Sequence, residues 1–220
     1  MARAGLTTAR VVAAAADLAD EAGLENVTLS ALARGFGVKD ASLYSHVRNV
    51  RDLRTRIALL AAAEFAERAQ AAVAGRAGKD ALVAFANAYR DFARERPGRY
   101  AATQLPVDPQ SLAAEPAALR GIETTYAVLR AYGLGEPDIT DAVRLLRATF
   151  HGYCALEASG GFNASRDVQA SWERTLDALH VLLENWPAAS AVPRPPGAAQ
   201  HPAVPPHPAA PKTRRTPPTT

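Results

Sequence analysis

Apolar side chains recur at helical spacing along almost the whole chain. Val11, Ala15, Leu18 and Ala22 step by four, three and four residues, which predicts a first helix ending at Gly23, with Thr7 or Thr8 as its cap. Leu29, Leu32, Ala33 and Phe36 mark one face of a short second helix. Thr28 sits where its hydroxyl can cap that helix, and Gly37 can close it in a left-handed turn. A further short helix carries Leu43 and Val47 inward and shows Asp40, Ala41, Ser42, Tyr44, Ser45 and His46 on its small, polar outer face. Two short helices around a tight turn form a helix-turn-helix, whose second helix lies in the DNA major groove. The same periodicity also suits a pair of packed helices in any α-helical protein.

The pattern continues with a long helix over residues 49–74, carrying Leu53 and Ile57 at one end and Leu60, Phe65 and Ala72 at the other. A helix over 80–96, capped by Asp80, holds Leu82, Phe85, Ala86, Tyr89 and Phe92, and Pro97-Gly98 ends it. A short helix is expected over 99–104, and the proline-interrupted stretch 105–115 reads as a loop. Helices follow over 116–132, with Ile122, Tyr126 and Leu129 inward, over 140–158 and over 165–186. The last has the stripe Val168, Trp172, Leu176, Leu179 and Leu183. No run alternates β-branched residues, so an all-α fold is expected. It divides into a three-helix DNA-binding head over 1–48, an all-helical body over 49–186 joined by the long helix, and a tail over 187–220. Eleven of the sixteen prolines fall in that tail. A segment of that composition is expected to be disordered and partly extended.

Charge and composition sharpen this picture only locally. The net charge is +3, and Arg194, Lys212, Arg214 and Arg215 all lie in the tail; removing them leaves about −1. The basic balance is therefore no argument for nucleic acid outside the helix-turn-helix. The tail either adds weak, salt-sensitive affinity for DNA or is a solvated extension without a task. A single cysteine, Cys154, rules out an intramolecular disulfide and fits a reducing compartment. Asp17, Asp20 and Glu21 interrupt the N-terminal Ala/Val run, unlike a signal peptide. No apolar stretch is long enough to cross a bilayer. The expectation is a soluble, cytoplasmic protein with no membrane partner.

The segment GVKDASLYSHVRN, residues 37–49, resembles the signature of the TetR family of bacterial repressors, with its Gly-Val turn and Leu-Tyr recognition helix. Residues 148–162, ATFHGYCALEASGGF, resemble the C-terminal domain of the WHG type found in one branch of that family, and GRYAATQLP before it and Trp172 after it fit as well. The resemblance implies a homodimer that binds a palindromic operator of double-stranded DNA and is released by a small-molecule effector. It implies backbone contacts at Tyr44 and His46. Lys39, Arg48 and Asn49 are placed to help, and Thr28 can hold a phosphate at its helix N-terminus. Asp40, Ala41, Ser42 and Ser45 are candidates for base edges, with Asp40 equally suited to complement the helix dipole. The family usually has a Lys near the start of the long helix, where Val50 stands here; Arg48 or Arg51 takes over that contact, or it is lost.

The resemblance also implies an effector pocket in the body and a dimer formed by the last two helices. Phe65, Phe85, Tyr89, Phe92, Tyr126, Phe150, His151 and Tyr153 are candidates to line the pocket, although aromatics at helical spacing also serve as plain core. Leu145, Leu156, Val168, Trp172, Leu176, Leu179 and Leu183 are candidates for the dimer interface, unless one chain buries them all itself. His151 has no partners at metal-ligand spacing, and a structural histidine is the favoured reading over a ligand contact; no metal or cofactor is expected. Two rival readings are a dimeric DNA-binding adaptor without an effector and an all-α enzyme. Against the enzyme, no nucleophile–base pair, phosphate loop or metal set is visible.

Overall fold

The computed structural model describes residues 5–187, so the tail expected to be disordered lies, beyond Pro187, outside the described residues. The described residues are all helical, without a strand. The chain opens with α1 (Thr8–Ala22), capped by Thr7, whose hydroxyl accepts from the Arg10 N–H at 3.2 Å. Its inner side is Val11, Val12, Ala15, Ala16 and Ala19. Ala22, expected in that stripe, is exposed, because the stripe turns away before the helix ends at Gly23.

After a single 3-10 turn comes α2 (Leu29–Phe36), capped by the Thr28 hydroxyl. It closes at Gly37, where φ is 65°. There the Val38 N–H reaches back to Ala33 O at 3.0 Å and the Gly37 N–H to Arg34 O at 3.1 Å. The third element, Asp40–Ser45, is a 3-10 helix rather than an α-helix. Leu43 at its centre and Val47 just after it are buried, and they hold it against α1 and α2.

Next, α3 (Val50–Val73) begins at Asn49, whose side chain accepts from the Asp52 N–H at 2.9 Å. Its 24 residues span about 36 Å. Leu53, Ile57 and Ala58 complete the hydrophobic core of the head, whereas Ala69 belongs to the core of the body. One rigid element is thus shared by both.

The body continues with α4 (Gly78–Glu95), α5 (Pro97–Thr103), α6 (Pro109–Ala113), α7 (Pro116–Arg130), α8 (Asp138–Ala158) and α9 (Val168–Glu184). Asp80 is not the cap of α4 but lies in its first turn, where a negative charge still favours the helix dipole. The stretch expected to be a loop contains α6, because Asp108 caps it and Pro109 occupies the first-turn position that needs no N–H. Ile122, expected inward on α7, is 44% exposed and faces a cavity described below. The body core gathers Leu82, Phe85, Leu129, Leu146, Phe150, Trp172 and Leu176. Among the described residues, no helix is long and apolar enough to cross a membrane.

Candidate DNA face and effector cavity

The head presents the residues that sequence singled out. Thr28, Lys39, Asp40, Ala41, Ser42, Ser45, Arg48 and Asn49 are exposed, Tyr44 is exposed and His46 is half-buried. Several are already engaged locally. The Thr28 oxygen accepts from the Ala31 N–H, so only its O–H remains to donate to a phosphate. Ser30 Oγ donates to Asp40 Oδ2 at 2.5 Å, which ties the 3-10 helix to the first turn of α2. Ser45 Oγ donates to Ser42 O at 2.9 Å and is left to act as an acceptor.

Arg48 is tethered. Its backbone N–H donates to Asp52 Oδ2 and its guanidinium to Oδ1, each at 3.0 Å, and Arg56 adds a contact at 3.2 Å. Burial pushes the Asp52 carboxyl up, but the hydrogen bonds from Arg48 and Arg56 outweigh it and hold the group below the usual carboxylate range. Val50 packs against the head core, whereas Arg51 beside it is exposed.

Within the body lies a partly open cavity of about 620 Å³. Four of the expected aromatics line it: Phe65, Phe85, Tyr89 and Phe150. Their rings meet edge-on or tilted, with Phe65 5.9 Å from Phe85 and 5.5 Å from Tyr89, and Tyr89 5.6 Å from Phe150. The other four expected residues do not line it. Phe92 is buried in the core, 5.7 Å from Phe65 on another side. Tyr126 packs against the body core, and Tyr153 packs at a tilt against Trp172 and donates to Val168 O at 2.7 Å. His151 has a structural partner, the Tyr100 hydroxyl, 2.7 Å from Nδ1. Tyr100 in turn lies 3.3 Å from the Tyr89 hydroxyl. Burial raises the pKa of both phenols, so the pair stays neutral. Cys154 is likewise pushed up, to about 11, and remains a thiol.

Residues that pattern alone did not mark also line the cavity, among them Thr103, Gln104, Leu105, Pro106, Val107 and Arg147. The first two end α5, and the other end of α5 is fixed to the head. Arg99, buried, donates its backbone N–H to Asp20 Oδ1 at 2.8 Å and its guanidinium to Asp17 at 2.8 Å and to Asp20 Oδ2. The Glu64 carboxylate of α3 lies 2.9 Å from Nε. The seven residues of α5 therefore connect the cavity to α1 directly.

The candidate dimer residues divide. Trp172, Leu176, Leu179 and Leu183 are fully or almost fully buried in the chain's own core, so they are no exposed interface. Val168 is half-buried, and Leu145 packs partly against the same core. Leu156, at 49% exposed, lies on the outside, as do Val181 and Leu182 on the other side of α9.

A family model described as Tetracyclin repressor-like, C-terminal domain, matches residues 82–179. The HTH-type transcriptional regulator YobS of Bacillus subtilis is 31% identical over 169 residues, covering 77% of this chain and 88% of that protein. Two solved structures share the fold. BioQ with its double-stranded DNA operator has a TM-score of 0.58 at 22% identity, covering 82% of this chain and 99% of that one. The Streptomyces coelicolor TetR family protein ActR in complex with actinorhodin has 0.62 at 20%, covering 82% and 97%. These matches define a transcriptional regulator of the helix-turn-helix class. The chain belongs to the TetR family.

Proposed function

We propose that the protein is a homodimeric repressor that binds a palindromic operator and is released by a small-molecule effector. Residues 1–48 act as the DNA-binding part, 49–186 as the effector and dimerisation part. The observation that carries this reading is α5, which forms cavity wall at Thr103 and Gln104 and clamps α1 through Arg99. An effector in the cavity acts on the head only by favouring a spacing of the two heads that does not fit DNA. The solved complexes of BioQ with an operator and of ActR with actinorhodin support the pair of ligands for this fold.

On DNA, Thr28, Tyr44 and His46 contact phosphates together with Lys39 and Asn49. Arg51, free of the tether that holds Arg48, takes the place of the usual lysine. Ala41, Ser42 and Ser45 meet base edges, and Asp40 orders the 3-10 helix through Ser30. The test is fluorescence anisotropy with duplexes tiled across the DNA flanking the gene, at two salt concentrations. Tight binding to one duplex with a partial inverted repeat, surviving higher salt, is expected. Uniform weak binding that collapses with salt would overturn the operator reading. Tyr44→Phe and His46→Ala should each lower specific affinity by about tenfold or more while leaving the melting temperature unchanged, since each removes a hydrogen bond to a charged phosphate.

The dimer face uses the exposed apolar side of α8 and α9: Leu156, Val181 and Leu182, with Leu145 at its edge. Light scattering after chromatography checks it. Leu182→Glu is expected to give a folded monomer with strongly weakened operator binding; a folded dimer would place the interface elsewhere.

A further inference from the structure

We infer that the effector is an apolar organic acid, a molecule with one carboxylate on a hydrophobic body, held by Arg147 at the edge of the cavity. This rests on the reading of that cavity as the effector site. At about 620 Å³ it has the size of sites that enclose drug-sized ligands, typically about 300–1,000 Å³.

The lining is divided in character. Leu59, Phe65, Phe85, Ile122, Leu146 and Phe150 supply an apolar wall for the body of the ligand. The polar groups are Tyr89, Thr103, Gln104, Thr125 and Arg147, and among the described lining residues none is acidic. Arg147 is therefore the only charge on the wall among those residues. It has no ion-pair partner among the described residues, and its guanidinium donates to the Gln104 oxygen only at a long 3.5 Å.

Gln104 and Thr103 are themselves arranged around it. The Gln104 amide donates to Thr103 Oγ1 at 2.9 Å, and Thr103 Oγ1 donates to Tyr100 O at 2.7 Å. Thr125 donates to Gly121 O at 2.9 Å. The hydroxyl protons of both threonines are thus committed to backbone, and they offer a ligand no donor. The donors left free are the guanidinium N–H groups of Arg147 and one N–H of the Gln104 amide, and the planar fork of Arg147 fits a carboxylate through two parallel hydrogen bonds. A cationic ligand meets repulsion from Arg147 without a counter-charge on the wall. A neutral one can accept a hydrogen bond from the guanidinium but brings it no counter-charge.

The placement also gives the acid leverage. A carboxylate on Arg147 competes with Gln104, the residue that follows α5, and α5 holds α1 through Arg99.

The experiment uses the full chain and matched probes: dodecanoate and 1-naphthaleneacetate against dodecan-1-ol, dodecylamine and 1-naphthaleneacetamide. Binding is read by intrinsic tryptophan fluorescence, since Trp172 lies 5.7 Å from Phe150 of the cavity wall, and by calorimetry. At least one acid is expected to bind tenfold or more tightly than its neutral and cationic counterparts. Arg147→Gln should abolish that preference, Arg147→Lys should keep part of it, and both should melt as the parent does, because Arg147 is exposed. Equal or tighter binding of the alcohol, amide or amine overturns the acid assignment and leaves the cavity as a ligand site. A preference that survives in Arg147→Gln overturns the role of Arg147. If no probe of any charge binds while operator binding persists, the effector-site reading falls with it.

Discussion

Gly98→Ala should disconnect the head from the body. A Cβ built on Gly98 would lie 2.0 Å from the carbonyl carbon of Ala19, 2.1 Å from its oxygen and 2.4 Å from the Asp20 nitrogen. All three atoms are backbone of α1, so no flexible side chain can swing aside. Either α5 retreats from α1 or α1 deforms. Retreat also pulls Arg99 away from Asp20 and Asp17, leaving a guanidinium buried without its partners. Overpacking alone costs about 1–3 kcal/mol. Breaking a buried ion pair adds a cost of the same order or more. Together, a loss of about 4–8 kcal/mol is a large part of the stability of a domain of this size. Urea denaturation followed by circular dichroism is expected to show a much lower midpoint, and anisotropy a large loss of operator affinity. Gly35→Ala is the matched control. It lies within α2 with nothing within 4 Å of its built Cβ, and it should be neutral or stabilising by about 0.5–1 kcal/mol. Arg99→Met, which removes the charge without the clash, should reproduce the loss of coupling with a smaller loss of stability. Parent-like stability and affinity in Gly98→Ala would show that the close approach of α5 and α1 plays no part.

The head was legible in the sequence because each of its signals is local. Thr28, Gly37 and Asn49 act within three or four residues of themselves, and they cap, close and restart helices as read. The 3-10 winding of Asp40–Ser45 was not legible, since Leu43 and Val47 turn inward in either helix type. Proline misled at 105–115: Pro109 breaks a helix only from its interior, and it stands in the first turn of α6. The Arg99 clamp joins residues 79 apart, and no periodicity reports on such a contact. On α9 the stripe from Trp172 to Leu183 showed correctly which side is apolar. It could not tell whether that side is covered by the same chain or by a second one. Burial answers that, and it moves the candidate interface to the weaker apolar side at Val181 and Leu182. Four of eight aromatic candidates line the cavity because helical spacing finds an inward face but not the gap within it. Arg147 was hidden for the opposite reason: an arginine on a helix reads as surface until its surroundings are seen.

Arg90→Ala is expected to weaken the body by about 3–5 kcal/mol, the range found when one partner of a buried pair is removed. Arg90 is buried between α4, α8 and α9. It donates to both oxygens of Glu157 at 2.7 and 2.6 Å and to Gln169 Oε1 at 2.6 Å. Its guanidinium also lies 5.3 Å from the centre of the Trp172 ring, which is itself pinned by a 2.8 Å hydrogen bond to Asn87. Removing Arg90 leaves the part-buried Glu157 carboxylate without its bidentate partner. Replacing both, as Arg90→Met with Glu157→Met, should recover much of the loss, because no charge is then left unpaired. The pair also predicts a pH dependence. The hydrogen bonds from Arg90 hold the Glu157 carboxyl below the usual range, against the opposing effect of burial. Unfolded, the same group titrates at about 4.3. Its contribution to stability is therefore complete above that value and is lost as pH falls through the lower, folded one. Other carboxylates are held low too, among them Asp52, so the parent curve alone does not isolate the pair. The difference between parent and Glu157→Gln does. Urea midpoints measured from pH 6 to pH 3 should fall more steeply for the parent, and the two curves should converge at the acid end. Parallel curves would mean that Glu157 carries the same proton affinity folded and unfolded, and that the bidentate contact contributes shape to the body rather than charge.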